Sequence, residues 1–596
     1  MLTGCLLLLA RVAYLQVWNG QDYRSKADHN RTQVTSIPAS RGIIYDLQGT
    51  ALVRNEPNFT ASVVPTELPD PKQAEYLNTL QTIADALGLQ LTEIEPKIAE
   101  HAEKYYNQPL VLKEFIPHDE AIDLMSQFKG VPGVHIEAQA ARHYLLPEQY
   151  APIIGYLGRI SPEDLEAGLS DDYDLSDHIG KTGLEYIYES VLRGRKGTVA
   201  KEVTAGGRML DTIAEEPAIP GGNLVLAIDG QLQQALYDQI KSYADAHHLP
   251  GGAAVALDPR TGKVRALVSY PSYDPNVFIQ GITSDLYSSL LNDSRKPLFD
   301  KAISGEYPSG STFKLVVASA ALQEGVVTPN TTVTSTGGLC INCTGFPDFP
   351  DWKAGGHGVT DVYKAIAESV NTYFYLAGGG TYDKDQREIT GGLGIDRIDT
   401  YAQLFGLGSS SGIDLPGEAT GFVPNPSWKE ETKGEQWYLG DTYHVSIGQG
   451  DLLVTPLQVA LYTMIVANGG TVYEPQLVDH VTDQSGVTTD TIDPVVVRDH
   501  IVDASNLAVV RAGMRQAVTS GSARSMGSLS VSSAGKTGTA EIGETGKKHS
   551  WYTTFLPYDE PKLVVTVLME EGGDGTVAAL PVAKAALSSF SIDSLE

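Results

Sequence analysis

The stretch Tyr307-Pro-Ser-Gly-Ser-Thr-Phe-Lys314, followed by the apolar run Leu315-Val-Val-Ala-Ser-Ala-Ala-Leu322, reads as a turn that opens into a buried helix. Pro308 and Gly310 make the turn and Ser311 begins the helix. Ser311 and Lys314 stand three apart, so their side chains share one face of the first helical turn. Backbone N–H groups at a helix start have no intrahelical partner. A serine there sits in a positive local field beside candidate oxyanion donors. A serine nucleophile needs a base, and a neighbouring lysine serves if burial or a second cation lowers its pKa. Alone, Ser-x-x-Lys is common and far more often marks an ordinary helix cap than a nucleophile.

Two further stretches change that balance. Glu368-Ser-Val-Asn371 lies in a segment read as one helix over 362–376, where Ser369 offers a proton-relaying hydroxyl and Asn371 an amide that can hold a substrate amide. Ala534-Gly-Lys-Thr-Gly-Thr-Ala540 offers the Lys536 cation, the Thr537 and Thr539 hydroxyls, and Gly538, where a ligand can approach the backbone closely. Together these four would bind a carboxylate. Each motif is weak; three in this order, each with fitting secondary structure around it, form a strong signal.

Working outward, residues 221–596 alternate strand and helix signatures. Strands are expected at 224–228, 253–257, 263–269, 550–555 and 563–569. Helices are expected at 231–244, 314–324, 398–404, 456–467 and from Pro581 onward. Strands, then helices, then strands and a helix imply an α+β domain on an antiparallel sheet. Residues 19–221 are polar and mixed, with helices expected at 84–99 and 119–128. The first fifteen residues are apolar with one charge, Arg11. They are too short to span a bilayer as they stand, and they read as the surviving half of a membrane anchor at 1–18.

The 596 residues carry 43 Lys and Arg against 73 Asp and Glu, a net charge of −30, and 42% are hydrophobic. That supports a real core and argues against a nucleic-acid backbone binder. Three cysteines exclude a disulfide scaffold. Cys340 and Cys343, with Asp351 and His357, read either as a structural zinc set or as a local disulfide beside unrelated side chains. Two decoys are set aside. Lys181-Thr-Gly183 lies upstream of Ser311 in the wrong order, and Gly408-Ser-Ser-Ser-Gly412, around Ser410, lacks the flanking strand and helix of a nucleophile elbow.

With these motifs in hand, the sequence resembles the class B penicillin-binding proteins, monofunctional peptidoglycan transpeptidases, along nearly its whole length. Further resemblance lies in Pro38-Ala-Ser-Arg-Gly-Ile-Ile-Tyr-Asp46, Arg142-His-Tyr144, Gly155-Tyr-Leu-Gly158 and Gly183-Leu-Glu-Tyr186 of the non-catalytic part. It continues in Gly252-Ala-Ala-Val-Ala-Leu-Asp-Pro259, Ile447-Gly-Gln-Gly450 and Thr455-Pro-Leu-Gln458. The run Trp437, Gly440-Asp-Thr442 and Ile447-Gly-Gln-Gly450 is similar to the elongation-type subgroup more than the division type. Lys301, where the family often has Arg, and Ser309, where a second Pro is usual, depart from the pattern away from the chemistry.

The resemblance implies a membrane anchor at 1–18, an elongated pedestal or dimerisation domain at 19–221 and a transpeptidase domain at 222–596. It implies Ser311 as nucleophile, Lys314 as base and Ser369 as relay. Asn371 would hold the donor peptide, Lys536, Thr537, Gly538 and Thr539 its carboxylate, and the Ser311 and Thr539 N–H groups the oxyanion. No cofactor is implied. Expected partners are stem peptides, β-lactams, the bacterial cytoplasmic membrane and a polytopic glycan polymerase, with the catalytic domain on the extracytoplasmic face. A β-lactamase or β-lactam sensor, a D,D-carboxypeptidase and a polymerase-activating scaffold are the competing readings.

Overall fold

The computed structural model describes residues 11, 12, 14 and 32–592, except 106–107, 165–172, 174–176, 204–208, 342–346, 383–387 and 544. The expected anchor at 1–18 lies outside the described residues apart from Arg11, Val12 and Tyr14. Among the described residues no helix is long and apolar enough to cross a membrane.

The chemistry-bearing part is built on a five-stranded antiparallel sheet, in the order Val264–Tyr270, Gly252–Leu257, Leu563–Met569, Lys548–Leu556, Ala534–Glu541. The α+β expectation holds, and the five strands expected from 224 onward lie close to their observed bounds. The strands Val264–Tyr270, Gly252–Leu257 and Leu563–Met569 are buried along their whole length because helices cover both faces. Ala254, Ala256, Val565 and Val567 face the helices Gly230–His247 and Ala579–Ser588. Val255, Leu257, Val564 and Leu568 alternate onto the opposite face, in one core with the helices Lys314–Gln323 and Pro456–Asn468. An antiparallel strand usually alternates apolar with polar; a sheet covered on both sides reads as a continuous apolar run such as Leu563-Val-Val-Thr-Val-Leu-Met569.

The helix Pro456–Asn468 is buried on every side. Its ends are set by sequence: Thr455 and Gln458 form a reciprocal capping box, Pro456 takes the first turn, and Gly469 closes it in a left-handed conformation. Each fully buried Leu, Ile or Val here contributes roughly 1.5–3 kcal/mol.

In the N-terminal part the long strand Ala51–Val63 pairs with Val134–Tyr144 and Leu110–Ile116. The helices Ala74–Leu87, Leu91–Lys104 and His118–Gln127 pack on these strands around a small separate core. The single helix expected at 84–99 is thus two. The first stops at Gly88, which adopts φ +70, and an apolar period that continues through the break hides it in sequence. The resemblance motifs of this part converge on Glu185, which is fully buried. Arg41 and Arg142 both hydrogen-bond its carboxylate, at 2.7 and 2.8 Å, and Arg41 also reaches Glu189. Both guanidiniums hold the Glu185 carboxyl below its ordinary pKa against the opposing effect of burial.

The two parts share a sheet. Strand Asn223–Leu226 pairs in parallel with Ile44–Tyr45 on one side and antiparallel with Val478–Thr482 on the other. A hydrogen bond of 3.0 Å from Tyr188 to Asp414 adds a second tie.

Candidate active site

Ser311 lies in a 3-10 turn, Gly310–Thr312, that leads directly into the helix Lys314–Gln323. Three hydrogen bonds hold that turn. Trp551 donates its indole N–H to Pro308 O at 3.0 Å, Tyr462 donates to the Thr312 hydroxyl at 2.7 Å, and Gly310 N donates to Gly448 O at 2.8 Å. The Lys-Thr-Gly motif lies in the edge strand Ala534–Glu541, a stretch not expected to be a strand from sequence. Two glycines let turn and strand touch. A Cβ on Gly310 would stand 2.3 Å from Thr539 O, and Gly310 also has φ +52; a Cβ on Gly538 would stand 2.8 Å from the Thr312 methyl.

The segment read as one helix over 362–376 is two, Val362–Ala367 and Asn371–Gly379, broken at Ser369. Ser369 has φ +58, a strained value for a residue with a side chain. The break turns the Ser369 hydroxyl between the two lysines. Lys536 Nζ donates to Ser369 Oγ at 2.9 Å and to Thr537 O at 2.7 Å. Lys314 Nζ donates to Asn371 Oδ1 at 2.6 Å, Ser369 O at 2.9 Å and Ser369 Oγ at 3.3 Å. The structure therefore brings Lys314, Ser369, Asn371 and Lys536 into direct contact, with Ser311 one helical turn before Lys314. Thr537 bonds the Ser522 hydroxyl at 2.9 Å, and Thr539 accepts from Gly575 N at 3.1 Å.

Both lysines are wholly buried. Burial lowers Lys314 to a pKa of about 7, against a raising effect from Asp351. Burial, and then the charge of Lys314, depress Lys536. Desolvation is the main cause for both lysines, and their mutual repulsion disfavours charging the two together. An ammonium supplies three donors and Lys314 has three acceptors. The neutral amine keeps two N–H groups for the shorter bonds and frees a lone pair on the side of the Ser369 hydroxyl.

The segment 350–352 was not read as structural support for this site. Asp351 accepts from Thr372 N and Thr372 Oγ1, and Trp352 Nε1 donates to Glu368 O at 3.0 Å. Gln449 Nε2 donates to Thr539 O at 3.3 Å. These contacts link residues far apart in sequence and carry no local pattern. Cys340 is disulfide-bonded, so its sulfur is not a zinc ligand; Cys343 lies outside the described residues. His357 is occupied by Glu368, Nδ1 to Oε2 at 2.6 Å, and among the described residues no group of three or more His, Cys, Asp or Glu could hold a metal. Lys181, of the upstream decoy, pairs with Asp164 at 2.6 Å. Ser410 lies in an exposed loop.

The turn that carries Ser311 thus docks on an edge strand, beside two buried lysines that meet at one serine. Residues 252–588 match the penicillin binding protein transpeptidase domain, and residues 36–226 match the penicillin-binding protein dimerisation domain. The chain is 33% identical over 611 residues to the peptidoglycan D,D-transpeptidase MrdA of Haemophilus influenzae, covering 98% of this chain and 89% of that protein. Its fold is similar to the penicillin-binding protein PBP2 of Helicobacter pylori, solved in complex with MreC. That match has TM-score 0.79 and 27% identity over 93% of this chain and 98% of that one. A peptidoglycan synthase complex that couples polymerization and crosslinking holds a chain similar at TM-score 0.71 and 30% identity, covering 99% of this chain and 96% of that one. The chain belongs to the class B penicillin-binding proteins, in the group that resembles PBP2.

Proposed function

We propose that this chain is a peptidoglycan D,D-transpeptidase of cell elongation, cross-linking stem peptides through an acyl-enzyme on Ser311. The observation that carries the reading is the pair of buried lysines meeting at the Ser369 hydroxyl beside the nucleophile turn. Neutral Lys314 takes the Ser311 proton as Oγ attacks the carbonyl of the penultimate D-alanine. Backbone N–H groups of Ser311 and Thr539 stabilise the oxyanion. The amide C–N bond breaks, and the proton passes from Lys314 through Ser369 Oγ to the leaving D-alanine nitrogen. An acceptor amine from a neighbouring stem then attacks the ester, restoring Ser311 and forming the cross-link.

Asn371 holds the donor peptide. Lys536, Thr537, Gly538 and Thr539 hold its carboxylate, whose negative charge favours the protonated form of Lys536. A β-lactam enters as the donor does, and ring opening leaves a stable ester. The reading includes an anchor at 1–18, a pedestal at 19–221 and a transpeptidase domain at 222–596, with the site on the extracytoplasmic face of the cytoplasmic membrane. A polytopic glycan polymerase is the proposed partner, supported by the synthase complex that holds a similar chain.

The test is a fluorescent penicillin incubated with the full chain and with Ser311→Ala. A stable labelled band absent from a folded Ser311→Ala sample is expected. Labelling that survives the substitution overturns the assignment. A label lost within seconds replaces it with a hydrolase.

A further inference from the structure

The helix that carries Asn371 lacks a cap of its own. The residue at its cap position, Val370, offers no hydrogen-bonding side chain, and no local side chain bonds the first turn. That turn nevertheless leaves a buried polar pair, Thr372 N and Thr372 Oγ1. Both donate, at 3.1 and 2.8 Å, to Oδ2 of Asp351, which lies 21 residues upstream. Ser335 adds a third bond to the same oxygen at 3.3 Å, and Trp352 N donates to Oδ1 at 2.9 Å.

The neighbours of Asp351 grip the other side of the same break. Trp352 Nε1 donates to Glu368 O, and Pro350 O accepts from Asn371 Nδ2 at 3.4 Å and from Tyr375 OH at 3.1 Å. Three consecutive residues thus hold Glu368, Asn371, Thr372 and Tyr375, on both sides of strained Ser369. An isolated strained residue relaxes unless its surroundings over-determine it.

We propose that Asp351 is a positioning residue for acyl transfer: its buried carboxylate caps the Asn371 helix from outside and so fixes the turn that presents Ser369 to Lys314 and Lys536. The role rests on the serine transpeptidase reading above. A carboxylate also suits a helix N-terminus electrostatically. The titratable groups around it are His357, with Nε2 at 3.6 Å from Oδ1, Glu368 beyond that ring, Tyr375 and Lys314. Asp351 acts through Thr372 and touches no reacting atom.

The experiment measures the second-order rate of acylation by a fluorescent penicillin against pH, in the full chain and in Asp351→Asn and Thr372→Val. Asp351→Asn keeps the shape and removes the charge. Its acylation rate is expected to fall about 10–100-fold, the usual effect of losing a support behind a reacting group. Its acid limb is expected to move to lower pH, because the Asp351 charge raises Lys314. Thr372→Val keeps the charge and loses one bond, so a several-fold loss with an unmoved acid limb is expected; it remains informative if Asp351→Asn does not fold. Wild-type rate and acid limb in the folded fraction of Asp351→Asn overturn the proposal, as does an unchanged rate in Thr372→Val. A wild-type chain that does not label, or a Ser311→Ala chain that does, overturns the transpeptidase reading instead.

Discussion

Replacing Lys314 by Met should abolish acylation and stabilise the protein. The lysine is wholly buried and its pKa falls from 10.5 to about 7. Below about pH 7 the amine is charged in both the folded and the unfolded chain, and the fold carries an unfavourable free energy on the order of 5 kcal/mol. Between about pH 7 and 10.5 the unfolded chain holds a proton that the fold has lost, so stability rises with pH across that window. Methionine keeps the length of the side chain without the charge. It leaves Ser369 O without the Lys314 bond, at about 1–3 kcal/mol, while Ser369 Oγ keeps Lys536 and Asn371 can turn its amide toward solvent. The net expectation is a gain of about 2–3 kcal/mol near pH 6, vanishing near pH 9. Denaturant midpoints of wild type and variant at pH 6, 7, 8 and 9, with equal slopes, measure the gain, and fluorescent penicillin measures the lost activity. A variant less stable than wild type at pH 6, or a difference independent of pH, refutes the account of Lys314 as a buried amine held against its solvation.

Two other substitutions probe the packing. Gly310→Ala places a Cβ 2.3 Å from Thr539 O at a residue with φ +52. The turn and the edge strand must then separate, and acylation should fall about 10²–10³-fold, as for loss of an oxyanion donor; an unchanged labelling rate would show that the two need not touch. Glu185→Gln leaves Arg41 and Arg142 buried without their shared carboxylate. Unfolding of the N-terminal part should become easier by about 3–5 kcal/mol, and a shift of the denaturation midpoint within error would remove that cluster from the account of stability.

The contrast between what was legible in the sequence and what was not has a physical basis. Ser311 and Lys314 are joined by one helical turn, a local relation that spacing reveals. The break at Ser369 is tertiary. Glu368-Ser-Val-Asn-Thr contains neither Gly nor Pro, and its left-handed serine is held by Lys314, Trp352 and Asp351, all distant in sequence. The Lys-Thr-Gly strand was missed because glycine and lysine are poor strand formers. Its pairing with Lys548–Leu556 and its packing on the Gly310 turn override that preference. At residues 340–357 composition left a metal set and a local disulfide both open; Cys340 is spent in a disulfide and Asp351 in capping.

The sheet that joins strand Asn223–Leu226 to both Ile44–Tyr45 and Val478–Thr482 has a mechanical consequence. Load applied to the N-terminal part reaches the catalytic part as shear along hydrogen-bond ladders, with no slack tether between them. The same stitching limits modularity. A fragment starting at Gly252 would bare one edge of Val478–Thr482, and an unprotected edge invites pairing with other chains. Exchange of pedestals between relatives would have to carry that strand and its two neighbours together as one unit.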